Sequence, residues 1–170
     1  MNKRKIRRLA LAGMLTAVMF IIGYVESLLP PFFSVPGIKP GFANIPVMIA
    51  INLIDWKAAA AMSFTRIIIS GLTFSGLFAC IYSLGGAVLS ITIMVLMKKN
   101  GKFGIIGMSM TGGAVHNLGQ VIVAVIFVGK GVLYYFPILV VSGLAAGMLT
   151  GIVSGAMLKL LSGKSFLDSD

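Results

Sequence analysis

Polar residues, prolines and glycines divide the chain into six apolar segments. The segments lie near 9–29, 41–54, 58–72, 74–97, 104–128 and 132–158. A helix needs about 20 apolar residues to cross a bilayer, and the second and third segments are shorter. We expect these two to be tilted, to include flanking residues, or to form one re-entrant pair. The pattern predicts an all-α membrane protein with six transmembrane helices in a single domain, residues 1–170, and four spans are the alternative.

The basic residues favour six spans and predict an orientation. With the N-terminus in the cytoplasm, eleven of the 14 Lys and Arg residues fall on the cytoplasmic side: Lys3, Arg4, Lys5, Arg7, Arg8, Lys57, Lys98, Lys99, Lys102, Lys159 and Lys164. Only Lys39 and Lys130 face outward, and Arg66 lies within a span. Such an asymmetry is typical of membrane proteins. We therefore expect both termini in the cytoplasm and a multi-pass protein of the cell membrane.

The composition supports a membrane protein and restricts its chemistry. Apolar residues make up 58% of the chain, charged residues 11%, and the mean hydropathy is +1.05. A soluble domain of this length has too little interior to hide that much apolar surface. The net charge of +10 is therefore read first as a signal of topology and not of nucleic-acid binding. Cys80 and His116 are single residues of their kind, so we expect no disulfide within the chain, no metal site and no cofactor.

Motifs for catalysis are missing from the sequence. No Gly-Lys-Ser/Thr follows a glycine at the spacing of a P-loop, so the chain has no ATP site of that type. It has four acidic residues, and Asp168 and Asp170 are in the C-terminal tail. An aspartate-rich magnesium site for diphosphate chemistry therefore has too few ligands. The sequence predicts a protein that is not an enzyme.

A small group of polar residues inside or beside the spans forms the candidate substrate-binding site. They are Glu26, Lys39, Asn44, Arg66, His116, Asn117 and Gln120. Such side chains are costly in lipid and need a partner, a wet cavity or a function. In the predicted topology they all fall from the middle of the bilayer outward, which predicts a cavity open to the outside for a small polar or anionic molecule. The alternative is that they are packing links, with Glu26 paired to Arg66 or Lys39.

Two further features concern the first helix and the loop after it. The loop at 29–40 contains four prolines and cannot continue a helix. Its Phe32 and Phe33 are expected either to close over a ligand or to anchor the loop at the membrane surface. The first helix carries small residues, Ala12, Gly13, Thr16 and Ala17. Small residues allow another helix to approach closely, either in a partner protein or within the same bundle.

Three segments together resemble the bacterial Gx transporter family, which is also called heptaprenyl diphosphate synthase component I. They are Tyr24-Val-Glu26, Pro36–Asn44 and Gly113–Gln120. The family is similar to the S components of energy-coupling factor transporters. The resemblance implies a six-helix bundle that binds a micronutrient near the outer surface, beneath the first loop. It also implies partners, namely a membrane coupling protein that docks on the small residues of the first helix, and two cytoplasmic ATPases.

Two other functions stay open at this point. The second name of the family implies a non-catalytic membrane subunit of prenyl diphosphate synthesis. A small membrane subunit of a redox or flavin-modification complex is a third hypothesis, which no motif in the sequence supports or opposes.

Overall fold

The computed structural model describes residues 3–29 and 40–162, and within these ranges the chain forms helices and no strand. The helices are α1 (Lys3–Leu28), α2 (Ile45–Leu53), α3 (Trp56–Ser70), α4 (Leu77–Asn100), α5 (Ile105–Val128) and α6 (Phe136–Ser162). A 3-10 turn at Phe42–Asn44 precedes α2, and another at Lys130–Tyr135 precedes α6. A π-helical turn, Gly71–Ser75, extends α3. The predicted all-α fold is confirmed, and six helices fit the described chain. Phe32, Phe33, Lys39 and Lys164 lie outside the described residues.

Five helical stretches of the described chain are long and apolar enough to cross a membrane. They are α1, α3 with its π turn, α4, α5, and α6 with its 3-10 turn. The third predicted segment is therefore not too short, because α3 takes in flanking residues and reaches Ser75 after 20 residues. The chain is a multi-pass membrane protein. Its placement in the cell membrane, with both termini in the cytoplasm, stays a prediction.

Helix α2 is the exception to this pattern. Together with the turn before it, α2 covers Phe42–Leu53, so at about 1.5 Å per residue it is roughly 18 Å long, against about 30 Å for the hydrocarbon core. Ile45 to Ile51 are all buried. A helix that is apolar on every side belongs inside a protein, and α2 packs against α1, α3 and α6. Its residues Val47, Met48 and Ile51 form a core cluster with methionines of other helices.

Charged side chains from other helices hold both ends of α2. At its start, the backbone N–H of Phe42 donates a hydrogen bond to Glu26 Oε1 of α1, at 2.6 Å. At its end, Lys98 Nζ of α4 donates to the Ile51 carbonyl. An acid at the beginning of a helix and a base at its end complement the helix dipole and satisfy backbone groups that the helix cannot pair itself.

Consecutive helices run antiparallel. The Glu26–Phe42 bond joins the end of α1 to the start of α2. A tight turn then leads into α3, where Asp55 caps the helix by accepting from Ala58 N at 2.7 Å. In the second half of the chain, Gly119 meets Gly85, and Gly112 meets Met94. Later residues of α5 thus contact earlier residues of α4, as antiparallel packing requires.

Glycines bring α4, α5 and α6 into backbone contact. A Cβ added to Gly119 would lie 2.5 Å from the Gly85 carbonyl oxygen and 2.9 Å from Gly86 Cα. Gly113 makes a similar contact with the Gly143 carbonyl of α6. Small residues at such crossings replace the hydrophobic driving force that helices lack within lipid. These three helices therefore form one tightly packed half of the bundle.

We expect Lys98→Met to lower the stability of the purified protein by about 1 kcal/mol, because the Ile51 carbonyl loses its charged donor. Thermal denaturation in detergent measures this change. Lys99→Met is the matched control, since it removes the same charge from an exposed neighbour. Equal losses in the two variants would show that the contact with α2 contributes nothing.

We expect Gly119→Ala to destabilise the fold by about 1–3 kcal/mol, because its new methyl group meets backbone atoms that have no rotamer to change. Gly107→Ala, on the same helix, has open space around the added Cβ. It is expected to raise stability by up to about 1 kcal/mol through helix propensity. Thermal denaturation of both variants checks that the two substitutions change stability in opposite directions.

Candidate functional site

A cavity of about 560 Å³ lies between the helices, and all six contribute to its lining. Its residues on α4 run from Phe78 to Met94, and those on α5 from Val128 back to Ser109. The cavity therefore extends from the end of the bundle where α4 begins to well past the middle of α5. Its volume falls within the roughly 300–1,000 Å³ that is usual for sites of small molecules.

Six of the seven predicted site residues line this cavity. They are Glu26, Asn44, Arg66, His116, Asn117 and Gln120. They come from α1, α3, α5 and the turn before α2, so only the tertiary fold brings them together. The seventh, Lys39, lies outside the described residues. Their role in binding a substrate stays a prediction, which the contacts of each side chain help to assess.

Arg66 is in the middle of α3, and its guanidinium packs against α1 at Gly23. A Cβ added to Gly23 would lie 2.9 Å from Arg66 Nη2, so the glycine makes room for the guanidinium. Arg66 Nε is buried and has no hydrogen-bond partner in the part of the chain that the structure describes. A buried charged donor without an acceptor is costly. Arg66 thus presents unused hydrogen-bonding capacity in the wall of the cavity.

Glu26 is different, because part of its carboxylate is already used by the protein. It is only 6% exposed, and Oε1 accepts the hydrogen bond from Phe42 N described above. Glu26 follows Gly23 by three residues, so both lie on the face of α1 that is turned towards α3. The carboxylate therefore has a structural contact as well as a place on the cavity wall.

His116 and Gln120 lie one turn apart on the face of α5 that lines the cavity, as their spacing predicts. The His116 ring packs against Gly86 of α4, where an added Cβ would lie 2.8 Å from Nε2. Gln120 is 8% exposed, and it borders the cavity with an amide that offers both a donor and an acceptor.

Asn117 is a packing link between helices, which is the alternative interpretation of these polar residues. Its Nδ2 donates to the Leu139 carbonyl of α6 at 2.5 Å. The same nitrogen would lie 2.9 Å from a Cβ added to Gly143. Asn117 therefore links α5 to α6 at their closest approach, although it also touches the cavity. Of the polar residues on this stretch of α5, His116 and Gln120 are therefore the ones available to contact a ligand in the cavity.

A set of hydroxyl groups that was not predicted from the sequence also lines the cavity, those of Tyr82, Ser83, Ser90, Ser109, Ser142 and Thr150. At the deep end, Ser109 Oγ and Thr150 Oγ1 are 3.0 Å apart and hydrogen-bonded. A helical repeat of small and polar residues was the available signal, as in Ser142, Ala146 and Thr150.

Aromatic and aliphatic side chains surround the opposite, shallow end. Phe78 and Tyr82 of α4 are stacked, with ring centroids 6.3 Å apart and planes at 22°. Tyr135, in the turn before α6, and Val128 and Val132 complete this part of the lining. We call Phe78, Tyr82, Val128, Val132 and Tyr135 the aromatic mouth of the cavity.

The small residues of α1 do not share one surface. Gly13 and Ala17 are exposed, and a Cβ added to Gly13 meets nothing within 4 Å. Ala12 instead packs against the core cluster, and the half-buried Thr16 donates its hydroxyl to the Ala12 carbonyl at 2.7 Å. Only Gly13 and Ala17 are thus placed to meet a partner helix, while the other two face the bundle.

Metal ligands do not cluster in the described ranges, where no group of three His, Cys, Asp or Glu side chains converges. Cys80 is buried and is not part of the cavity lining. The cavity thus offers hydrogen bonds, the positive charge of Arg66 beside the acidic Glu26, and apolar contacts.

We expect Asn117→Leu to reduce stability by about 1 kcal/mol, because it removes the hydrogen bond that joins α5 to α6. Gln120→Met, on the same helix, also replaces an amide by an apolar side chain. It is expected to leave stability unchanged or slightly higher. Thermal denaturation in detergent distinguishes them. Loss of stability in Gln120→Met would show that Gln120 is also a packing link.

Comparisons with known proteins identify the family. The sequence profile of heptaprenyl diphosphate synthase component I matches residues 15–157, which is most of the chain. Searches of curated proteins and of solved structures give no match. The resemblance inferred from the three sequence segments is confirmed by the profile. The chain belongs to the heptaprenyl diphosphate synthase component I family.

Proposed function

We propose that this protein is the substrate-binding subunit of an uptake transporter of the energy-coupling factor type. It binds a small micronutrient or a related molecule and performs no catalysis. The observation that carries this proposal is the cavity of about 560 Å³, which collects polar residues from four parts of a membrane-embedded bundle.

The properties of the individual side chains support a binding site over a set of packing links. Packing accounts for Asn117 and for one oxygen of Glu26. Arg66 interacts electrostatically with Glu26, but this does not account for its buried Nε, which lacks a hydrogen-bond partner among the described residues. A membrane protein keeps an ionisable group at such depth when the group faces a partner, a cavity or a ligand. His116 and Gln120 border the same space from α5.

The proposal includes partners that supply energy. The sequence has no P-loop, so uptake against a gradient requires other proteins. By similarity to S components, these are a membrane coupling protein and two cytoplasmic ATPases. On α1, Gly13 and Ala17 are exposed and allow a helix of the coupling protein to approach closely.

The second candidate function follows from the name of the family. A component I implies a second component, and in this case the chain is the non-catalytic membrane partner of a soluble prenyl diphosphate synthase. The family membership favours this candidate. The two proposals predict different behaviour on co-expression with such a synthase. A change in the activity of the synthase or in its association with the membrane supports the second candidate, and no change in either contradicts it.

We expect Arg66→Ala and His116→Ala to abolish ligand binding while the protein stays folded, because both side chains face the cavity. The test is mass spectrometry of small molecules that co-purify with the wild-type protein and with each variant. Size-exclusion chromatography in detergent verifies that each variant is folded.

The matched control is Arg8→Ala, which removes an exposed arginine of α1 that is remote from the cavity. Arg8→Ala is expected to retain the ligand. Loss of folded protein in both cavity variants would favour the packing interpretation. If the wild-type protein yields no small molecule and no vitamin, flavin or quinone precursor raises its thermal stability, the proposed function is contradicted.

A further inference from the structure

Some polar groups of the cavity already have hydrogen-bond partners within the protein and others do not. This difference indicates the chemistry of the ligand. The anionic side chain, Glu26, already accepts a backbone hydrogen bond. The cationic one, Arg66, interacts electrostatically with Glu26, yet its buried Nε has no acceptor in the described chain. The cavity therefore needs an acceptor, and a negatively charged one gives the strongest hydrogen bonds to a guanidinium.

We infer that the ligand of this cavity is an amphipathic organic acid, whose acidic group binds Arg66 and whose apolar or aromatic body lies in the aromatic mouth. This inference rests on the proposed function, because it requires that the cavity binds a ligand. It specifies the chemical class of the ligand and the orientation of the ligand in the cavity.

Groups suited to an acid converge beside Arg66. A second, much smaller cavity of about 20 Å³ is lined by Arg66 together with Asn44 and His116. These side chains, which belong to three different segments, are therefore near neighbours. The Asn44 amide and the His116 ring each offer an N–H donor, so a carboxylate that binds Arg66 has further donors within the same wall.

The deep end of the cavity offers little to the body of the ligand. Ser109 Oγ and Thr150 Oγ1 already bond to each other, and Thr150 Oγ1 also donates to the Ala146 carbonyl at 3.0 Å. Nearby, Gly147 lies against the backbone of α5, where an added Cβ would be 2.5 Å from the Ser109 carbonyl oxygen. The close packing of α5 and α6 and the Ser109–Thr150 hydrogen bond therefore make this end less favourable for the body of the ligand than the aromatic mouth.

The aromatic mouth, in contrast, suits a flat apolar body. The rings of Phe78 and Tyr82 are nearly parallel, and offset stacking on such faces is a favourable arrangement for another ring. Val128, Val132 and Tyr135 add apolar contacts to the same part of the lining. An acid held at Arg66, in the middle of α3, therefore extends its body towards the end of the bundle where α3 ends and α4 begins.

The test compares 2-naphthoate with 2-naphthamide, which have nearly the same shape and differ in charge. Dissociation constants are measured by equilibrium dialysis with the full chain in lipid nanodiscs, and empty nanodiscs correct for partition into lipid. We expect wild-type protein to bind the acid at least tenfold more tightly than the amide. Arg66→Gln is expected to reduce that ratio to near one, because only the acid loses its charged partner.

Gly23→Ala is the second variant, because its methyl group displaces the Arg66 guanidinium and leaves its charge in place. It is expected to weaken binding of the acid severalfold. Gly13→Ala is its control on the same helix, since the added Cβ meets only open space, and it should bind like the wild type. If Arg66→Gln does not fold, the ratio of the affinity for the acid to that for the amide is measured in Gly23→Ala. A ratio lower than in the wild type supports the inference, and an unchanged ratio overturns it.

The outcomes separate this inference from the proposed function. Equal affinity of the wild type for the acid and the amide, or a co-purifying molecule without an acidic group, overturns the inference while ligand binding stands. No saturable binding of either probe, together with no co-purifying molecule, contradicts the proposed function and the inference with it.

Discussion

Helix α2 is too short to cross a bilayer, so the backbone groups at both of its ends must find partners inside the protein. The two groups that are paired by side chains lie in partly buried surroundings, where an unpaired backbone group is costly. Glu26 pairs the N–H of Phe42, and Lys98 pairs the carbonyl of Ile51. These two contacts hold α1 and α4 at opposite ends of a helix that the other elements enclose.

The cavity follows from this arrangement. Glycine contacts pack α4, α5 and α6 closely, while the other side of the bundle is built around a short buried helix. The turn before α2 then places Asn44 next to Arg66 of α3, across from His116 of α5. Two glycines, Gly23 and Gly86, make room for the guanidinium and the imidazole. The site is thus formed by the same close packing that makes the fold.

Membership in the heptaprenyl diphosphate synthase component I family is shown by the sequence profile, and it leaves the activity to be argued from the site. A cavity with a buried guanidinium nitrogen that lacks a hydrogen bond, and with an aromatic mouth, is more informative on this point than the name. It supports recognition of a small molecule within the membrane. Whether that molecule is taken up by a transporter or presented to a prenyl synthase is a question about partners, and the co-expression and ligand experiments address it separately.

The sequence by itself determined the helical segments and a group of polar residues in the cavity. Because a backbone in lipid must pair its own hydrogen bonds, long apolar segments predict helices directly, and because polar side chains avoid lipid, Arg66, His116 and Gln120 were predicted to face a common interior. The extension of α3 by a π turn and the deep hydroxyl groups of Ser109 and Thr150 were missed, since neither interrupts an apolar segment strongly enough to be noticed.

Only the tertiary structure decided what each polar residue contacts. Lys98 was predicted to lie in a solvated turn, but its ammonium also caps α2, because the end of α2 happens to lie beside the end of α4. Asn117 and Gln120 are three residues apart with similar side chains, yet one bonds to Leu139 of α6 and the other borders the cavity. Apolar periodicity records which face of a helix is buried. The carbonyl that lies opposite a given amide depends on how two helices cross, and residues far apart in the chain determine that crossing.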